Sequence, residues 1–230
     1  MNLIRKPSEV RKKLGYFGIG GAITLLGRKT MILAQRGECF REFLIVLSEP
    51  RPSPKAMAAA KDHTFRMASL SDLEALSKDP ASNILDRDLE SFKDGCHCLL
   101  QMDGEKLVGY TWIVDSRLID VGWGFHLSLP DDVIYNYNGY TAPEYRGTAY
   151  QPLRHLKVLE HVRAWGKYRL LGYVDHLNLK SLHGTAKSGY RRIGVLRGTR
   201  RNGQIHFALS IVDDSWSCAT HAGPRHAYLS

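Results

Sequence analysis

The 230-residue chain has only four cysteines, Cys39, Cys96, Cys98 and Cys218, and their spacing forms no disulfide framework. That suits reduced thiols in a reducing compartment, and a cytoplasmic protein is expected. The sequence also lacks a long hydrophobic run. Gly15 to Leu26 is apolar and glycine-rich, but Arg28 and Lys29 end it well short of a bilayer span, and no small-residue cleavage site follows closely. It reads as a helix or hairpin packed on the main domain. No internal repeat is visible. Cys96-His97-Cys98 has no second ligand pair at zinc spacing, and in a strand His97 would face away from both cysteines, so no metal is expected.

What is abundant is positive charge. The formal net charge is +9 and the sequence pI about 9.4, which favours an anionic partner. The basic residues gather near the start (Arg5, Lys6, Arg11, Lys12, Lys13) and near the end (Arg191, Arg192, Arg197, Arg200, Arg201). Neither cluster is interleaved with the aromatics on which bases stack, so a solvated basic face is expected rather than a nucleic-acid site.

With 43% hydrophobic and 24% charged residues the chain can bury a full core. Glu49-Pro50-Arg51-Pro52-Ser53-Pro54 reads as an extended linker because its prolines fix φ and withhold backbone donors. This divides the chain into an N-terminal extension and linker (1–55), a main domain (56–212) and a tail (213–230). In the extension, Phe43 to Leu47 fits a strand or a buried helix end.

In the main domain His63 to Ala68 reads as a strand, and Ser71 with Glu74 as a capping box opening a short helix. Ile84, Leu85, Leu89 and Phe92 mark a second helix closed by Gly95. Cys96–Met102 and Lys106–Val114 flank Asp103-Gly104, a hairpin turn. Residues 116–132 give no clear pattern and read as a substrate loop or a surface connection. Val133 to Thr141 is a strand, followed by a helix with Pro152 in its first turn and Leu153, Leu156, Leu159, Val162 and Trp165 on one face. Tyr168–Val174 is a strand, Asn178 opens a helix to about Lys187, and a hairpin turns around Asn202-Gly203. The order implies an α/β (α+β) mixed sheet with helices on its faces.

Chemistry concentrates at one strand-to-helix junction, Thr141-Ala142-Pro143-Glu144-Tyr145-Arg146-Gly147-Thr148-Ala149-Tyr150-Gln151. A helix start offers unpaired N–H groups and partial positive charge, so this junction suits an anion. The segment resembles the pyrophosphate loop of the GCN5-related N-acetyltransferase (GNAT) superfamily through Pro143, Tyr145, Arg146 and Gly147. Asn178, Ser181, Lys187, Gly189 and Tyr190 resemble the same family's later helix motif. The resemblance covers residues 63 to 212. Ala149 and Gln151 stand where the loop pattern has glycine and glycine or alanine, and Pro152 lacks an N–H.

The resemblance implies a GNAT-like mixed, largely antiparallel twisted sheet flanked by helices. It implies transfer of an acyl group from acetyl-CoA or another acyl-CoA to a primary amine of a small molecule, by direct attack in a ternary complex without metal. Thr141, Arg146, Gly147, Thr148, Ala149, Tyr150, Gln151, Asn178 and Ser181 would hold the CoA. The family's acid, a tyrosine seven residues after the helix Asn, is replaced by Thr185. Asp132 is the candidate base and His183 the candidate acid, while Tyr135 and Tyr137 would line the acceptor cleft and Tyr190 would pack in the core. A homodimer is compatible with this reading. Two alternatives are a degenerate member that binds a ligand or protein without catalysis, and a transferase using a longer acyl-CoA or an acyl-carrier-protein donor.

Overall fold

A computed structural model describes residues 36–120, 125–201, 204–213 and 220–222. The Gly15–Leu26 segment, the N-terminal basic cluster and the Asn202-Gly203 turn lie outside the described residues. The strands are β1 (Arg36–Leu47), β2 (Thr64–Met67), β3 (His97–Asp103), β4 (Lys106–Val114), β5 (Leu118–Asp120), β6 (Phe125–Ser128), β7 (Val133–Thr141), β8 (Arg169–Asp175), β9 (Arg191–Arg201), β10 (Gln204–Ile211) and β11 (Thr220–Ala222). The helices are α1 (Pro54–Ala59), α2 (Leu70–Ser77), α3 (Asp86–Lys93), α4 (Tyr150–Val162) and α5 (Leu179–Lys187).

Eight strands form one sheet in the order β10-β9-β1-β8-β7-β4-β3-β2. Every neighbouring pair is antiparallel except β7 and β8, which run parallel. The expected mixed, largely antiparallel sheet with flanking helices is therefore the architecture observed. Cys98 and Leu100 of β3 pack with Leu73 of α2 and Ile84, while Leu99 packs with Val158, Leu159 and Val162 of α4. Because side chains alternate along a strand, α2 and α3 cover one face and α4 the other.

Residues 36–47, read from sequence as part of an extension before the domain, form a strand inside its sheet, between β8 and β9. Leu44, Ile45, Val46 and Leu47 are all buried. A strand covered on both faces needs an unbroken apolar run, and Phe43–Leu47 supplies it. The proline-rich stretch after it leads directly into α1, whose first residue is Pro54 and whose N-cap is Ser53.

Other elements differ in detail from the sequence reading. The capping box of α2 uses Ser69 and Asp72, not Ser71 and Glu74: Asp72 accepts from the Ser69 N–H at 2.8 Å, and Ser69 Oγ accepts from the Asp72 N–H at 3.2 Å. Asp72 is favoured because it also pairs with Arg66 of β2, which holds its carboxyl well below the usual range. In residues 116–132, β5 and β6 join β11 in a second sheet. Its Ile119, Phe125 and Leu127 pack on Leu44, Val46, Tyr135, Leu171 and Leu196. This places the small sheet on the face opposite α4. Among the described residues, no helix is long and apolar enough to cross a membrane. His97 packs against the Trp165 ring at 4.9 Å, while Cys98 is buried with α2.

Candidate active site

The parallel strands β7 and β8 pair only at Val133 with Arg169, Ile134 with Leu170 and Tyr135 with Leu171. Beyond this point β7 continues beside β4 and β8 beside β1, so the two part company inside the sheet. A bulge accompanies the split. Tyr110 faces Tyr140 but Trp112 faces Tyr137, leaving one extra residue on β7, and Asn138 takes a positive φ of 45°. Such a bulge bends the strand and disrupts its ladder. Six residues of β7, 136–141, thus border an opening roughly 20 Å long at ordinary strand rise.

The expected anion loop lies at the open end of that split. Pro143–Tyr145 make one 3-10 turn, Gly147 has φ 91°, and Ala149 has φ 59° and ψ 46° immediately before α4. Arg146 Nε donates to the Thr141 carbonyl at 3.0 Å, and the Tyr145 hydroxyl donates to Asp103 Oδ2 at 3.0 Å, tying the loop to the β3–β4 hairpin. Ala149 gives the helix no side-chain cap, so its first N–H groups are open to a ligand, except at Pro152. The left-handed conformation is costly for a residue with a Cβ. Ala149→Gly is therefore expected to raise stability by about 0.5–1 kcal/mol, reversing the usual sign of such a change. Urea denaturation of the two proteins checks it.

Beneath the loop is a buried cation that the sequence did not reveal. Arg154 is 1% exposed. Its Nη1 donates to Gln101 Oε1 at 3.0 Å and its Nη2 to Thr141 Oγ1 at 2.6 Å, while its Nε has no hydrogen-bond partner among the described residues. These are neutral acceptors, and burial lowers the guanidinium pKa to about 10. A buried positive charge held by neutral groups below a helix start adds to the pull on an anion.

A second buried polar cluster sits where β7 leaves β8. Asn136 Oδ1 accepts from the Thr111 hydroxyl at 2.6 Å. Asn136 Nδ2 donates to the Tyr190 hydroxyl at 3.2 Å and lies 3.3 Å from His155 Nε2, and His155 Nδ1 lies 3.3 Å from the Tyr190 hydroxyl. Tyr190 also packs on the Leu99–Ile134–Val158 cluster, as expected of a core residue. Burial pushes the Tyr190 hydroxyl up, and burial with the neighbouring Arg154 charge lowers His155 to about 3. A histidine whose folded pKa lies below its unfolded value gives stability that is complete above the unfolded pKa and is lost as pH falls toward the folded one. The window is therefore about pH 6.5 down to 3. Between pH 7 and 5 the protein is expected to lose about 1–2 kcal/mol from this group. His155→Gln should flatten that part of a stability-versus-pH curve measured by urea denaturation.

The structure brings Thr141, Arg146, Gly147, Thr148, Ala149, Tyr150 and Gln151 together at the loop. Asn178 follows the end of β8 and caps α5, accepting from the Ser181 N–H at 3.1 Å. Because β7 and β8 are parallel, the loop after β7 and the α5 start after β8 stand at the same end of the split. His183 is exposed on α5, and Thr185 is buried with its hydroxyl donating to the Leu182 carbonyl at 3.0 Å. Asp132 is not brought to the loop. It lies before β7 at the closed end, on the order of 30 Å of strand away from Thr141, in a bidentate pair with Arg169 at 2.7 and 2.6 Å. That pair holds its carboxyl below the usual range. Tyr135 and Tyr137 stack at 5.3 Å, with Tyr173 of β8 stacked on Tyr135 at 5.8 Å, on the face opposite α4.

No family model matches the sequence, and no curated protein matches it. Solved structures similar to it include a predicted acetyltransferase from Clostridium acetobutylicum with acetyl-CoA, at 14% identity over 56% of this chain and 90% of that one, with a TM-score of 0.39. Another is an acetyltransferase from the GNAT family from Colwellia psychrerythraea, at 10% identity over 76% of this chain and 62% of that one, with a TM-score of 0.49. A third is a Trypanosoma brucei acetyltransferase, at 19% identity over 56% of this chain and 93% of that one, with a TM-score of 0.38.

Proposed function

We propose that this chain is an acyl-CoA-dependent N-acyltransferase that moves an acetyl group from acetyl-CoA to a primary amine of a small molecule. The observation that carries this reading is the split between β7 and β8, which opens onto a loop and helix start whose free N–H groups suit an anion. The residues fit a pantetheine diphosphate. Arg146, Gly147 and the N–H groups of Thr148 to Gln151 would hold the diphosphate, with Arg154 beneath them, and Asn178 and Ser181 would border the arm on the other side.

The chemistry supplied by the thioester is an activated carbonyl. An uncharged amine would attack it directly, the carbonyl oxygen would gain negative charge, the C–S bond would break to release a thiolate, and the attacking nitrogen would give up a proton to solvent water. Backbone N–H groups along the stretch of β7 that no longer pairs with β8, that of Thr141 among them, would stabilise that oxygen. The tyrosine stack of Tyr135, Tyr137 and Tyr173 would wall the acceptor side. His183, exposed on α5, would donate a proton to the thiolate. Asp132 is the assigned base of the sequence reading, but its ion pair with Arg169 favours fastening the closed end. Asp132→Asn separates the two roles, since a base variant loses turnover at unchanged stability.

The burial of Thr185, where the family acid stands, favours a second reading: a fold that binds acyl-CoA without turnover. A thiol-release assay with acetyl and octanoyl donors against a panel of amines decides between them. Amine-dependent release supports transfer. Binding of the donor with no release across the panel supports the second reading, and a clear octanoyl preference selects the longer-chain donor.

A further inference from the structure

A cavity of about 530 Å³ lies away from the split, between α1, the edge strand β2 and one stripe of α4. That volume is in the range of small-molecule sites. Its lining is apolar at Met57, Ala60, Phe65, Leu153 and Leu156. Its polar groups are Lys61, Lys157 and His161, with Glu160 already held by Lys157 at 2.8 Å and His63 set into the wall with a side chain 5% exposed.

His63 is wired to the anion loop by hydrogen bonds of fixed polarity. Arginine can only donate, so Gln101 must turn Oε1 toward Arg154 Nη1 and Nε2 toward His63 Nδ1, 2.9 Å away. His63 Nδ1 must then accept, which leaves its proton on Nε2. The chain continues from Arg154 Nη2 to Thr141 Oγ1, and the Thr141 carbonyl in turn holds Arg146. The His63 ring also meets Tyr150 at 5.3 Å and Tyr145 at 6.3 Å, both of the loop region, and Asp103 Oδ2 lies 4.0 Å from Nε2.

We propose that this cavity is a second ligand site, for a monocarboxylate with an apolar chain, and that its occupancy is transmitted to the loop through His63, Gln101, Arg154 and Thr141. The chain would lie on the Phe65–Leu153–Leu156 floor. The carboxylate would meet the His63 Nε2–H and the two lysines. Asp103, Lys61, Lys157, His161, Glu160, Tyr145 and Tyr150, with Arg154 beyond Gln101, are the charged and titratable groups around the ring. A carboxylate bound to the Nε2–H draws the ring away from the Gln101 amide N–H, and Gln101 cannot invert to compensate without depriving Arg154 of its acceptor. Occupancy therefore loosens the support of Thr141 and of the loop, and the coupling is negative and reciprocal.

The coupling arm rests on the reading of the loop as an acyl-CoA site; the binding arm does not. The test is an NMR titration of the full chain with octanoate, following the His63 ring and the Leu153 and Leu156 methyl groups, with octylammonium as the control of opposite charge. Octanoate is expected to shift all three sets of signals and octylammonium to leave them unmoved. Leu156→Trp, or Met57→Trp at a position already half exposed, fills the cavity and should abolish the octanoate shifts. Saturating octanoate should weaken acetyl-CoA binding about fivefold or more, and His63→Gln should remove that effect. Unmoved signals up to the solubility limit, equal shifts with octylammonium, or shifts that survive both filling variants would overturn the site. Acetyl-CoA affinity indifferent to bound octanoate would overturn the coupling. Failure of acetyl-CoA to bind at all would instead count against the loop reading and leave the octanoate result standing.

Discussion

Arg146→Glu is expected to weaken acetyl-CoA binding by about a hundredfold, the effect of losing a charge-assisted hydrogen bond of roughly 1.5–3 kcal/mol and setting a carboxylate against the diphosphate. Arg146 is exposed, and among the described residues the only hydrogen bond of its side chain is from Nε to the Thr141 carbonyl. The fold should therefore survive the change, and urea midpoints should move little. Arg146→Lys keeps the charge but loses the planar fork, so its affinity should fall between the two. Calorimetric titration of the three proteins gives the comparison. Equal affinity for wild type and Arg146→Glu would remove the loop from the binding site.

Gly109→Ala is expected to destabilise the protein by about 3 kcal/mol or more, at the upper end of overpacking effects. Gly109 lies on β4 opposite Thr141, and a Cβ there would stand 2.3 Å from the Tyr140 carbonyl oxygen and 2.8 Å from Arg154 Nη1. The tighter contact is with backbone, which cannot rotate away. Relief requires β7 to shift at the very residues that lead into the anion loop. Two results follow: a lower urea midpoint at unchanged m-value, and weaker acetyl-CoA binding in the protein that still folds. Adding Arg154→Ala should recover little, because the backbone clash remains. Full recovery in the double variant would mean that the buried guanidinium, and not β7, sets the limit.

Much of this architecture was legible because it is local. The Asp103-Gly104 turn, with Gly104 at φ 58°, and the Asn178 cap are specified by residues adjacent to them. The position of β1 was not legible. Phe43–Leu47 announces a buried segment, but its partners lie more than a hundred residues away in β8 and β9. Nothing near Phe43 encodes that pairing.

The helix after the loop shows a different limit. A stripe of Leu153, Leu156, Leu159, Val162 and Trp165 steps by three, whereas an α-helix turns every 3.6 residues, so the stripe drifts off the buried face. Trp165 accordingly falls in a 3-10 turn and is 40% exposed. The face that is buried follows steps of three and four through His155, Val158, Leu159 and Val162, with Arg154 beside it. Reading that period would have flagged His155. Arg154 carried no such signal, because arginine on a helix ordinarily marks solvent.

The loop at Arg146-Gly147 was legible through its glycine and its place before a helix, and Asn138 and Asn136 were not. Their importance arises from the bulge and from the separation of β7 from β8, both of which are properties of strand register. Asp132 shows the converse: its place at a strand head made it a candidate, while Arg169, 37 residues later, determines its state.

The most direct measurement is a backbone-amide NMR titration with acetyl-CoA. The account predicts saturable shifts concentrated on residues 136–151 of β7, the loop and the start of α4, and on residues 172–181 of β8 and the start of α5. The cavity between α1 and α4 should be affected only along the His63–Gln101–Arg154 line. Absence of shifts at saturating acetyl-CoA, or shifts confined to surfaces away from the split, would contradict it.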